Sequence, residues 1–120
     1  THKTYETWKE GYLDLYAYLH ANKPIIMNAY HSNFRNYLEK YIRSLVHPYI
    51  VEFLNIQREG INISGEKLEF IADTYTYGIV SVAMDWIAND MTERYSNSMD
   101  FFLKLLDGSM KHTLKKFSEQ

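Results

Sequence analysis

Eleven tyrosines are the residues of this chain best equipped for recognition chemistry. Tyr12 and Tyr16 lie four apart. Tyr30, Tyr37, Tyr41, Tyr49, Tyr75 and Tyr77 also fall on or beside faces that the apolar pattern turns inward. A buried tyrosine brings a large apolar ring and a hydroxyl that needs a partner. Several of them around one cavity suit an aromatic or amphipathic small molecule. The candidates for such a pocket are Tyr12, Tyr16, Tyr30, Phe34, Tyr41 and Tyr75. His31 joins them because, with Ser32 and Asn33, it is polar and close to the expected pocket. The alternative is that these rings are core filler whose hydroxyls reach the surface.

Patterns for covalent or metal chemistry are missing. The chain has no cysteine, which removes thiolate nucleophiles, thiolate metal sites and disulfides. It has no Gly-x-Ser-x-Gly turn, no phosphate-cradling glycine loop, and no His-Glu-x-x-His or Glu-x-x-His spacing. His20, His31 and His47 lie on three successive helical segments and meet only if the bundle brings them together. An enzyme is not expected, nor a cofactor, nor a metal. Asp85, set inside an apolar run beside Trp86, is expected at a solvated edge or against a basic group of a partner.

Charge and hydropathy narrow the class further. Net charge is −2, from 13 basic and 15 acidic residues spread along 120 positions, so no nucleic-acid footprint is present. Lys111, His112, Lys115 and Lys116 form the one basic cluster, where they complement the negative end of a helix. No uncharged apolar run reaches the roughly 18 residues of a membrane span. With no leader pattern either, the expected location is the cytoplasm. The chain opens on Thr1 with no methionine and reads as part of a longer protein.

The elements that must position these residues are helices. Tyr5, Trp8, Tyr12, Leu15, Tyr16 and Leu19 recur at three- and four-residue steps, which predicts an amphipathic helix closed by Asn22 and Lys23. Pro24 suits the first turn of a short second helix, "PIIMNAYH". Ser32 is expected to cap a third, with Phe34, Leu38, Tyr41, Ile42 and Leu45 inward. Pro48 predicts a kink or a break, after which "PYIVEFLNIQ" continues to Gly60. Ser64 caps a fourth helix running to about Met91. Ser96 or Asn97 caps a last one, with Met99, Phe102, Leu103, Leu106, Met110, Leu114 and Phe117 on one stripe. The expectation is a single all-α bundle of five or six helices.

The fourth helix carries apolar residues all round. Phe70, Tyr77, Met84 and Met91, flanked by Val80 and Ile87, form one stripe. Ile71, Tyr75, Gly78, Val82, Trp86 and Asn89, bordered by Ile79 and Ala83, form another. One stripe can meet the earlier helices, and the other needs cover. Gly78 costs about 1 kcal/mol against alanine inside a helix, and with Ser81, Ala83 and Ala88 it permits close approach of another helix. A two-fold homodimer supplies that cover most simply. Its expected seam is Gly78, Ile79, Val82, Ala83, Trp86, Phe102 and Leu106. The alternative is the central helix of a monomeric bundle.

The segment "FIADTYTYGIVSVAMDWIANDMTERYSNSMDFFLKLL" resembles the last two helices of TetR-family transcriptional regulators. The likeness rests on Phe70, Gly78, the run Ile79 to Met84, Trp86-Ile87, Asn89-Asp90-Met91, Ser96, and Met99 to Leu106. "YLHANKPIIMNAYHSNFRNYLEKYI" is similar to the segment that precedes them in that family. The closest fit is to regulators related to the dihydroxyacetone-kinase activator. The resemblance implies an effector-binding and dimerisation domain whose last two helices pair with their copies into a four-helix seam. It also implies a homodimer, an unidentified small effector, and DNA contact only through an N-terminal helix-turn-helix that this chain does not contain. Two alternatives are a domain that docks a protein partner in the manner of the kinase activator, and a stand-alone helical binding module.

Overall fold

The computed structural model describes residues 5–93, 98–106 and 108–119. Six α-helices make up the described chain, with no strand: α1 (Tyr5–Ala21), α2 (Lys23–Tyr30), α3 (Arg35–Gln57), α4 (Gly65–Ala88), α5 (Ser98–Leu106) and α6 (Ser109–Lys116). The all-α bundle expected from periodicity is what forms. No helix among the described residues is long and apolar enough to cross a membrane.

The core is the contact of α3 with α4, the most extensive pairing in the bundle. Leu38, Ile42, Val46, Ile50 and Leu54 repeat every four residues along α3 and are all buried. They meet Ala72, Thr76, Ile79, Val80, Ala83 and Ile87 of α4 in one hydrophobic cluster. On α4 the residues that bordered the two expected stripes therefore form a single central buried band. Phe70 and Tyr77, placed inward by the seven-residue reading, are 62% and 56% exposed. Thr76 is the one buried polar residue among those described, and its hydroxyl donates to the carbonyl of Ala72 at 2.8 Å.

Local chemistry accounts for most boundaries. Pro24 stands in the first turn of α2, where its missing N–H costs nothing. Ser64 is the N-cap of α4, its hydroxyl accepting from the amide of Lys67, with Glu66 in the first turn. Ser32 does not cap α3. It closes a turn instead, accepting from the amide of Phe34 and donating to the carbonyl of Ala29, so that Phe34 becomes the N-cap without a side-chain bond. α3 runs through Pro48 without a break, with Pro48 itself exposed.

α4 ends at Ala88, and Asp90 and Met91 both adopt φ of 59°. This left-handed pair folds the chain back, and the amide of Met91 donates to the carbonyl of Trp86 at 2.8 Å. The single last helix expected from the stripe is two helices. Gly108, at φ +74°, takes a left-handed conformation that ends α5 and starts α6. The expected cap at Ser96 or Asn97 lies outside the described residues.

α6 is locked to the rest of the bundle. Met110 and Leu114 are buried. The Tyr75 hydroxyl reaches Ser109 Oγ at 2.8 Å and Thr113 Oγ1 at 3.2 Å. Lys67 pairs with Glu119 at 2.7 Å, and the Glu119 amide donates to the carbonyl of Asn62.

Candidate functional site

The first helix turns a column of rings into the bundle. Tyr12, Tyr16 and His20 stand four residues apart on α1, so they share one face. The Tyr12 ring packs on Phe102 of α5 with centroids 5.4 Å apart, and on Tyr16 at 4.9 Å. Tyr16 packs on Trp86 of α4 at 4.7 Å, and His20 flanks the same indole at 6.4 Å. The Tyr12 hydroxyl donates to the Tyr16 hydroxyl at 3.3 Å.

Tyr12 and Tyr16 form the inner wall of a groove of about 550 Å³ between α1, α4 and α5. Val82 and Trp86 of α4 continue the wall, and Phe101, Phe102 and Leu105 of α5 close the far side. Ser81, Asp85, Thr92, Glu93 and Ser98 supply its polar groups. The left-handed turn after α4 is what carries Thr92 and Glu93 back to the groove.

Electrostatics here follow from burial. Loss of water drives the Tyr12 phenol far above its usual range, with Tyr16 and Glu93 adding to the effect. Burial likewise pushes Tyr16 up to about 12, with Glu93 and Asp85 adding and the bond from Tyr12 opposing. Both phenols are therefore neutral groups at any physiological pH, able to give and accept hydrogen bonds.

A second cavity, of about 410 Å³, lies on the other side of α1. Tyr12, Tyr18, Tyr41, Leu45 and Tyr49 line it, with Ile79 as its floor. The Tyr18 and Tyr41 hydroxyls meet across it at 2.6 Å. That bond is the main reason the Tyr41 phenol is raised.

The residues expected around one pocket separate in space. Tyr12 and Tyr16 line the first groove, while Tyr12 and Tyr41 line the second cavity. Tyr30, His31 and Phe34 line neither. They sit at the α2–α3 corner, where Arg35 lies 4.2 Å over the Tyr30 ring and Phe34 is 61% exposed. Tyr75 also lines neither, because its hydroxyl is spent on α6. Tyr37 and Tyr77, expected inward, are exposed. His47 bonds Asp73 across the α3–α4 contact at 3.1 Å and does not meet His20 or His31. No group of three potential metal ligands exists among the described residues.

The expected seam residues separate as well. Ile79, Ala83 and Leu106 are buried in the chain's own core and have no surface left for a partner. Gly78 is exposed, while Val82, Trp86 and Phe102 are half-buried and face the first groove or its edge. The groove residues that sequence reasoning missed are Thr92, Glu93, Ser98, Phe101 and Leu105. Thr92 and Glu93 belong to the segment after α4, which has no periodicity to read, and Ser98 opens α5.

The described residues thus form a helical bundle with an aromatic groove against its first helix. The chain belongs to the TetR-type transcriptional regulators, and residues 6–108 match the model of the transcriptional regulator C-terminal region. That match carries the regulator family and not the kinase-activator branch within it. No curated protein and no solved structure matches the chain.

Proposed function

We propose that this chain is the effector-sensing and dimerisation domain of a DNA-binding regulator, with its effector in the groove between α1, α4 and α5. One observation carries the reading: Tyr12 and Tyr16 seat α1 in the bundle, at 3% and 6% exposure, and are also walls of the groove. A ligand that contacts these rings acts on the same side chains that hold α1 in place. In this reading a helix-turn-helix unit joined ahead of α1 makes the DNA contact and α1 relays the state of the groove to it. The effector must favour one seating of α1 over another, with a coupling of about 1–3 kcal/mol. DNA half-sites lie about 34 Å apart, so a small change of geometry alters the fit. A regulator of this kind works in the cytoplasm.

The dimer forms along the outer line of α4 and α5. Thr74, Gly78 and Ser81 offer a low ridge, and Tyr77, Phe101 and Leu105 are 56%, 58% and 72% exposed beside it. A second copy laid along this line roofs the open side of the groove. Fluorescence of Trp86 in a Trp8→Phe protein, titrated with a panel of aromatic and amphipathic metabolites, tests the effector reading. Saturable binding that Tyr16→Ala abolishes supports it. Ligands that bind wild type and Tyr16→Ala equally remove the groove from the account.

A further inference from the structure

We propose that the cavity between α1 and α3 is a second small-molecule seat, and that the Tyr18–Tyr41 pair at its mouth selects compact apolar alcohols or phenols. This site is separate from the groove between α1, α4 and α5, although Tyr12 walls both. Tyr12 and Ile79 are buried and form its inner end. Tyr18 and Tyr41, at 44% and 43% exposure, mark its open side. The 2.6 Å bond between their hydroxyls therefore spans the mouth and joins α1 to α3 there.

A hydroxyl both gives and accepts hydrogen bonds. The bond to Tyr18 raises the Tyr41 phenol, so this group stays protonated and keeps both roles. An occupant that enters must part the two phenols, which leaves a donor and an acceptor unmet. A hydroxyl set between them answers both and turns one bond into a chain of two. An apolar occupant of the same shape leaves the parted groups to water. Because the mouth is open to water, the expected discrimination is about tenfold, well below that of a fully buried pair. The rest of the described lining is apolar, apart from Asp14 and the hydroxyls of Tyr12 and Tyr49. A volume of about 410 Å³ stands toward the lower end of small-molecule sites, which suits a body of one or two rings.

β-Naphthol and β-methylnaphthalene share a shape and differ by the hydroxyl, so they separate hydrogen bonding from bulk. In protein carrying fluorinated tyrosine, the fluorine NMR signals of Tyr18 and Tyr41, assigned with Tyr18→Phe and Tyr41→Phe, report the mouth directly. β-Naphthol is expected to shift both signals saturably and to bind about tenfold more tightly than β-methylnaphthalene. Tyr41→Phe, followed at the Tyr18 signal, should bring the two affinities within about twofold, because one phenol alone cannot be bridged. Its helical circular dichroism should match wild type, since both side chains are exposed. Equal affinity in wild type, or a preference that survives Tyr41→Phe, would overturn selection by the pair and the proposal with it. Tyr18 and Tyr41 signals that stay unmoved up to the solubility of both probes would overturn the seat. A response of Trp86 in the Trp8→Phe protein under those conditions would place the probe in the groove, so the effector reading is judged apart from this one.

Discussion

Gly11 and Tyr49 occupy one space between α1 and α3. A methyl group added at Gly11 would lie 2.5 Å from the Tyr49 hydroxyl oxygen and 2.6 Å from the ring carbon that bears it. The glycine thus lets the phenol lie against the first helix, where it walls the second cavity. Two effects compete in Gly11→Ala. Alanine gains about 1 kcal/mol of helix propensity, and overpacking costs about 1–3 kcal/mol. We expect a net loss of roughly 1 kcal/mol in the wild-type background, because the hydroxyl oxygen and two ring carbons of Tyr49 crowd the new carbon. In a Tyr49→Ala background the same change should stabilise by about 1 kcal/mol. Urea unfolding of the four proteins gives the cycle, and additivity of the two substitutions would refute the contact.

Alkaline pH should weaken the fold through Tyr16. Its phenol ionises near 10.0 when unfolded and at about 12 when folded. Between these values the folded protein keeps a proton that the unfolded chain has released. Its contribution is therefore complete below pH 10 and is lost as pH rises toward 12, at up to about 1.4 kcal/mol per pH unit. Tyr16→Phe should reduce that slope, and the buried Tyr12 phenol, raised in the same direction, supplies the remainder. Urea midpoints from pH 8 to 12 measure it, and a wild-type curve that stays level above pH 10 would contradict the burial.

Two leucines of α5, one residue between them, should separate folding from association. Leu103 is 2% exposed and Leu105 is 72% exposed. Leu103→Ala is expected to cost about 2–4 kcal/mol of stability. Leu105→Glu, alone or with Phe101→Glu, should convert dimer to monomer in light scattering while the helical circular dichroism is kept, the thermal midpoint falling only by the share that association adds. A dimer that survives both charges places the seam elsewhere.

Tyr75 should act as a clamp and not as a ligand contact. Its hydroxyl joins α4 to two hydroxyls of α6, so Tyr75→Phe is expected to cost about 1 kcal/mol. The same variant should bind groove ligands with wild-type affinity. A loss of affinity without a loss of stability would reassign Tyr75 to the site.

Residue order alone revealed the helices, because apolar steps of three and four survive in α1, α3 and α4 and because Pro24 and Ser64 act locally. It revealed the Tyr12–Tyr16 pair for the same reason, four residues being one turn. It misjudged α4, where apolar residues on every side left the direction of the core undetermined. Only the packing of α3 chose Ile79, Val80, Ala83 and Ile87 over Phe70 and Tyr77. Tyr30, Phe34 and Tyr75 were misplaced because the position of an aromatic on a helix does not say which neighbour the helix meets. Glu93 went unseen because two left-handed residues, not a repeat, bring it to the groove.

The split at Gly108 gives the two halves of the C-terminal arm different fastenings. α6 is tied to α4 by polar bonds through Tyr75, whereas α5 is held by the burial of Leu103 and Leu106 and by the Phe102 ring against Tyr12. An occupant of the aromatic groove would touch only the greasy fastening, so the polar one could stay in place while the groove responds.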